Sequence, residues 1–233
     1  TLLCLLGSTA YMIAIGITAF SRNLQLRKTR EDLRQSEQTL THRLSDIEAL
    51  QAKLQEQATR DPLTGLYNRR FLDTIAGREI ARCHRDHQYM VVMLIDIDHF
   101  KRINDNYGHA IGDKVLQEVA SSIRNIARKG DTFCRMGGEE FLVVCHNGNT
   151  DAKSAVLFAE RLRQHVKEQK INIDDIQIQT SISIGVALKE AGMKSEDHLV
   201  NAADKALYAA KNAGRNKVFL ALENKLINCN ATH

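Results

Sequence analysis

Gly137-Gly138-Glu139-Glu140-Phe141 lies between a strand-like run, Asp131 to Arg135, and an apolar one, Phe141 to Cys145. The order predicts a hairpin with glycines and carboxylates at its tip. Glycine turns tightly and lets a ligand approach backbone that carries no Cβ, while adjacent carboxylates concentrate negative charge that a cation relieves. A solvated turn has the same local composition, so the rest of the chain must decide between the two readings.

A second acidic element stands about forty residues upstream. Met90, Val91, Val92, Met93, Leu94 and Ile95 form an unbroken apolar run that ends in Asp96, Ile97 and Asp98. Such a run reads as a buried strand with acids at its exit. Strand side chains alternate, so Asp96 and Asp98 are expected on one face and Ile97 on the other. Hard oxygen ligands from this strand end, joined by Glu139 or Glu140 from a neighbouring hairpin, suit magnesium, which takes one or two carboxylates and fills its shell with water and phosphate.

Downstream, Arg102, Ile103, Asn104 and Asp105 lead through Gly108, His109, Gly112, Asp113 and Lys114 into an amphipathic stretch carrying Val115, Leu116, Val119 and Ile123. The run from Asp96 to Asp113, followed by Gly137 to Phe141, resembles the signature of the GGDEF family of bacterial diguanylate cyclases in its GGEEF variant. The likeness extends to Asp61-Pro62-Leu63-Thr64-Gly65-Leu66 near the front and to Ala203 through Lys211 and Gly214-Arg215-Asn216 near the end, covering about residues 58 to 222.

The resemblance implies a reaction. Family members condense two GTP into cyclic di-GMP, each 3′-hydroxyl attacking the α-phosphate of the other nucleotide, with loss of two pyrophosphates. It implies two Mg2+ per active site, with Mn2+ as a substitute, acting as in two-metal nucleotidyl transfer. Asp96 and Glu139 then stand as metal ligands, the Ile97 carbonyl as a backbone ligand, and Glu140 as a further ligand or base. Gly137 and Gly138 border the substrate. Lys101, Lys211 and Arg215 become phosphate contacts, with Lys101 supporting the reaction itself. Asn104 and Asp113 take the guanine-reading positions: a carboxylate accepts both N1–H and the exocyclic amine of guanine, whereas adenine turns a lone pair toward it. Read without the family, Asp113 after Gly112 is a helix N-cap and Asn104 a turn amide. Arg135 is expected to brace the loop.

Arg128-Lys129-Gly130-Asp131, with five residues between Asp131 and Gly137, matches the RxxD pattern at which many family members bind cyclic di-GMP and are inhibited. Arg161 or Arg163 would be secondary contacts there, since guanidinium forks pair with phosphate and guanine edges in a way lysine reproduces poorly.

The N-terminal part reads separately. Thr1 to Ser21 carries no charge. At about 1.5 Å per residue it is just long enough to cross a bilayer core of about 30 Å as a helix. No basic leader marks it as a signal peptide. Arg22, Arg27, Lys28 and Arg30 follow before any acid, which places the remainder in the cytoplasm by the positive-inside tendency. The expectation is an inner-membrane protein of a bacterium, anchored through residues 1–21. A buried soluble helix is the alternative, given Gly7, Ser8, Thr9 and Gly16. The chain opens without an initiator Met, so a longer parent with a sensor upstream is expected.

Residues 22–58 read as a coiled-coil signalling helix. No Pro or Gly occurs from Ser21 to Arg60, and Leu26, Leu33, Leu40, Ile47 and Leu54 recur every seven residues. The companion seam is polar (Thr29, Ser36 and Arg43 in one register), which implies a marginal homodimer contact. The family's active site is built between two facing catalytic domains, so this pairing would bear on rate.

The division is therefore a membrane helix over 1–21, the connector over 22–58, a catalytic domain over 59–222 and a tail over 223–233. The fold class expected is α/β: the palm-like, ferredoxin-related GGDEF sheet flanked by helices. Periodicity places helices at 66–87, 113–128, 151–169 and 195–212, strands at 90–97, 176–184 and 216–222, and a hairpin at 131–146. A net charge of +4 from 32 basic and 28 acidic residues is too slight and scattered for nucleic-acid binding. Five cysteines (Cys4, Cys83, Cys134, Cys145, Cys229) lack metal-ligand spacing and fit reduced thiols. Two other functions compete: an inactive receptor for GTP or cyclic di-GMP, and a signalling adaptor acting through its coiled coil.

Overall fold

The computed structural model describes residues 2–75, 90–126, 130–145, 151–188, 196–222 and 225–231, with the side chains of 2–11, 13, 14, 196 and 197 left aside. The chain divides into two units, 1–55 and 56–233. The first consists of helix α1 (Leu2–Thr59), which runs on into the start of the second. Leu26, Leu33, Leu40, Ile47 and Leu54 are each more than half exposed along it, so the heptad stripe has no partner within this one chain. Among the described residues no helix is long and apolar enough to cross a membrane. The span expected over 1–21 gains no support, and most of its side chains lie outside the described set.

The second unit is built on a seven-stranded sheet of order β1-β3-β4-β2-β7-β8-β9. These are β1 (Tyr67–Asn68), β2 (Val91–Ile97), β3 (Thr132–Gly137), β4 (Glu140–Cys145), β7 (Ile182–Leu188), β8 (Val218–Leu222) and β9 (Lys225–Asn228). A separate two-stranded ribbon pairs β5 (Ile171–Ile173) with β6 (Ile176–Ile178). The helices are α2 (69–75 in its described part), α3 (Phe100–Tyr107), α4 (His109–Ile126), α5 (Ala152–Glu168) and α6 (Glu196–Asn212).

Central β2 is antiparallel to both β4 and β7, and all seven of its residues are buried. Its alternation sorts the core. Val91, Met93, Ile95 and Ile97 cluster with Val115, Leu116, Val119 and Ile123 of α4 and with Phe158, Leu162 and Val166 of α5. Val92 and Leu94 cluster with Leu142 and Val144 of β4 and with Leu199, Ala203 and Leu207 of α6. Asp96 continues the second set by parity, so the strand's one ionisable side chain points to the face that α6 covers.

Several expectations change in detail. The single strand read over 176–184 is two elements: the chain turns back at Asp174, so 176–178 pairs with 171–173 and β7 starts only at Ile182. The helix read from 113 begins at His109, so Asp113 sits inside α4 rather than capping it. The segment read as a tail completes the sheet instead: β9 pairs with β8, and Asn230 Oδ1 accepts a bond from the Val218 N–H at 2.7 Å. Of the helix read over 66–87, residues 76–87 lie outside the described set.

Candidate active site

The predicted hairpin is present, with Gly138 and Glu139 as its two-residue tip between β3 and β4. Gly137 (φ 147°) and Gly138 (φ 54°) both take positive φ, and a Cβ on either would meet nothing within 4 Å, so the tip is strained for other residues and open on its outer side. Arg135 holds it from below. Its Nε and Nη2 donate to the Gly138 carbonyl at 3.0 and 2.8 Å, and its Nη1 donates to both oxygens of Asp61 at 3.1 and 3.2 Å. Asp61 also accepts from the Thr64 N–H and hydroxyl at 2.9 and 2.7 Å. Burial pushes its carboxyl up, but the Thr64 bonds and the Arg135 charge outweigh this and leave it below the ordinary value.

The hairpin register brings the acids to one end of the sheet. Asp96 is the direct cross-strand partner of Glu140, and the Ile97 N–H donates to the Glu139 carbonyl at 3.4 Å. Lys211, in the last turn of α6, places its ammonium 2.6 Å from Asp96 Oδ2. Burial raises the Asp96 carboxyl; Lys211 pulls it back, and the neighbouring charges of Glu139 and Glu140 add to the rise. The net direction is upward, as expected where carboxylates gather with too little positive charge.

Asp98 does not join them. β2 ends at Ile97, so the alternation that would carry Asp98 to the same site is broken. Its carboxylate accepts from Ser181 Oγ and Ser183 Oγ at 2.6 Å each and from the Asn216 N–H at 2.9 Å. It ties the exit of β2 to β7 and to the loop that bears Arg215. The resemblance includes Asn216 without giving it a role, and Ser181 and Ser183 carry none in the sequence; the available signal was Ser183, the one polar residue of the otherwise apolar β7.

Asn104 lies on α3 and Asp113 on α4, on either side of the α3–α4 junction. Gly112, one residue before Asp113, packs against the Asn104 side chain, whose Oδ1 is buried without a hydrogen-bond partner among the described residues. Asp113, Lys101 and Arg215 are exposed. Lys211, expected to contact phosphate, pairs with Asp96.

Of the inhibitory pair, Arg128 lies outside the described residues and Asp131 is half-buried. Arg163 is not free to serve there. It is 4% exposed and spends its guanidinium on Glu160 and Asn216. Arg161 donates to the Ile126 carbonyl at 3.1 Å.

Among the described residues no three His, Cys, Asp or Glu side chains converge on one cation position. The donor types nonetheless fit a hard divalent ion: carboxylates of Asp96, Glu139 and Glu140, and the Ile97 carbonyl. Lys211 acts as a stand-in cation at this cluster, which shows that the charge it gathers calls for a positive partner.

A mixed sheet with helices on both faces, its central strand ending in an acid beside an acidic hairpin, is a palm-like α/β domain suited to nucleotide chemistry. The chain belongs to the family described as diguanylate cyclase, GGDEF domain, whose pattern it matches over residues 58–217. It is 40% identical over 184 residues to Diguanylate cyclase A of Treponema denticola, covering 78% of this chain and 49% of that protein. It is also 40% identical over 185 residues to diguanylate cyclase DosC of Escherichia coli K12, covering 76% and 39% respectively. The chain thus spans about half or less of these curated relatives. Among solved structures, the coiled coil and GGDEF domain of DgcB from Caulobacter crescentus in complex with c-di-GMP superposes with a TM-score of 0.72 at 30% identity, covering 79% of this chain and 98% of that one. Diguanylate cyclase SiaD of Pseudomonas aeruginosa, in complex with its activator SiaC, gives 0.68 at 33%, covering 92% and 84%.

Proposed function

We propose that the chain is a diguanylate cyclase that joins two GTP into cyclic di-GMP. The observation that carries this is the placement of Asp96 opposite Glu140 across β2–β4, with Lys211 at 2.6 Å from Asp96. Each 3′-oxygen forms a bond to the other nucleotide's α-phosphorus, and the bond from that phosphorus to the bridging oxygen of the β-phosphate breaks, releasing pyrophosphate.

Asp113 and Asn104 bind the base, and Lys101, Lys211 and Arg215 hold phosphate oxygens. Glu140 takes the hydroxyl proton. Mg2+, or Mn2+ in its place, supplies Lewis-acid stabilisation of the transferring phosphate when held by Asp96, Glu139, Glu140 and the Ile97 carbonyl. One such site handles one GTP, so the product requires two chains facing each other. The unpartnered leucine stripe of α1 supports a homodimer through the coiled coil as well as the catalytic domains.

Product inhibition at Arg128 and Asp131, and attachment of residues 1–21 to the inner membrane with the catalytic unit in the cytoplasm, complete the reading; they rest on sequence pattern. The test is incubation of the chain with GTP and Mg2+, assaying cyclic di-GMP and pyrophosphate beside Glu139→Ala. Product from the parent and none from the variant supports the cyclase. No product from a dimeric, GTP-binding preparation overturns it in favour of a receptor.

A further inference from the structure

We infer that Lys211 is a positioning residue that changes partner as substrate binds, neutralising Asp96 before the nucleotide arrives and moving to its phosphates afterwards. The inference rests on the cyclase reading for the identity of the ligand and otherwise on geometry. The Lys211 ammonium lies 2.6 Å from Asp96 Oδ2, with the two side chains 29% and 10% exposed. Such a pair is largely out of water, and separating it leaves each charge poorly solvated unless something replaces the lost partner. Glu139 and Glu140 add negative charge beside Asp96, so the replacement must itself be a cation.

Lysine suits an exchange of this kind. Its ammonium is a point charge on a flexible four-carbon stem, without the fixed fork of arginine. It projects from the last turn of α6, and Arg215, four residues on, is exposed. A divalent ion entering alone must expel Lys211 and strand its ammonium. When phosphate enters with the ion, the displaced ammonium acquires an anion. Lys211 therefore lowers affinity for metal alone and couples metal binding to nucleotide binding, and the coupling is reciprocal. If the ion pair were merely structural, its loss would change stability and leave this coupling untouched.

The experiment titrates the full chain with Mn2+, with and without a GTP analogue whose α–β bridging oxygen is replaced by methylene, following bound Mn2+ by its paramagnetic resonance signal and subtracting Mn2+ held by free analogue. Lys211→Met keeps the stem and removes the charge. It is expected to bind Mn2+ alone about tenfold more tightly than the parent, the scale of one charge-assisted contact, and to show a smaller enhancement by the analogue. Lys211→Arg keeps the parent's weak metal-alone binding. No gain in Mn2+ affinity for Lys211→Met overturns the exchange. Should that variant not fold, Lys211→Gln replaces it; and a parent whose Mn2+ affinity is indifferent to the analogue overturns the proposal by itself. Cyclic di-GMP is assayed on the same preparations. Coupling without product keeps the exchange and removes the cyclase, whereas product without coupling does the reverse.

Discussion

The Asn104 side-chain oxygen rests against the Cα of Gly112 so closely that a Cβ at that position would lie 1.9 Å from it. That oxygen is buried and has no hydrogen-bond partner among the described residues. A buried polar atom left so costs about 1–3 kcal/mol, a cost tolerated where the group's other end serves a ligand. Gly112 thus sets the pose of the Asn104 side chain, which the proposed function assigns to base recognition with Asp113.

Gly112→Ala is accordingly expected to expel the amide from its seat and raise KM for GTP about tenfold, the scale of one lost hydrogen bond. ITP, which lacks the exocyclic amine, should be affected less. Steady-state kinetics with both nucleotides, and a thermal melt to confirm folding, check this. Unchanged KM for GTP would sever Gly112 from base recognition.

Arg135 spends three nitrogens on two partners, Gly138 and Asp61. Arg135→Ala removes the support beneath the hairpin tip and leaves Asp61 without its cation. We expect a stability loss of about 1–3 kcal/mol and a larger relative fall in kcat than in GTP affinity, because the tip carries Glu139 while the residues proposed to bind the base, Asn104 and Asp113, lie on α3 and α4. Arg135→Lys should recover part of the stability and little of the rate, as lysine cannot grip both partners at once. Urea unfolding and single-turnover rates distinguish the two effects.

Asp61 gives a pH dependence of definite sign. Its carboxyl is held below the 3.8 of the free group. Its contribution is therefore fully present above the unfolded value and is lost as pH falls through the lower folded one. Urea midpoints measured from about pH 5 down to about pH 2 should decline more steeply for the parent than for Asp61→Asn, whose side chain does not titrate. Parallel curves would remove Asp61 from the acid response.

Much of the site was legible because its residues are contiguous in sequence and constrained by strand geometry. The apolar run to Ile95 fixed β2, and the glycines fixed the hairpin tip, so Asp96 and Glu140 could be expected near each other. Asp98 was misplaced because period-2 reasoning holds only while the strand continues, and here it stops one residue earlier. The role of Lys211 was not legible, since its meeting with Asp96 depends on how α6 lies over β2, a tertiary relation without local sequence signature. The same holds for β9: Lys225 to Asn228 becomes a strand by pairing with β8, not by composition.

Dimerisation should respond to the leucine stripe. Leu40 and Ile47 are 57% and 51% exposed on α1, and a parallel partner helix would bury both. Each such side chain is worth about 1.5–3 kcal/mol on full burial, and a glutamate in its place adds a desolvated charge. The polar companion seam gives little to compensate. Leu40→Glu combined with Ile47→Glu is therefore expected to convert a dimer to a monomer in light scattering at micromolar protein. Specific activity should fall at low concentration and recover as concentration rises, because the two half-sites can still meet through the catalytic domains. A variant that remains dimeric with full activity would show that the stripe is not the contact and that the catalytic domains associate without it.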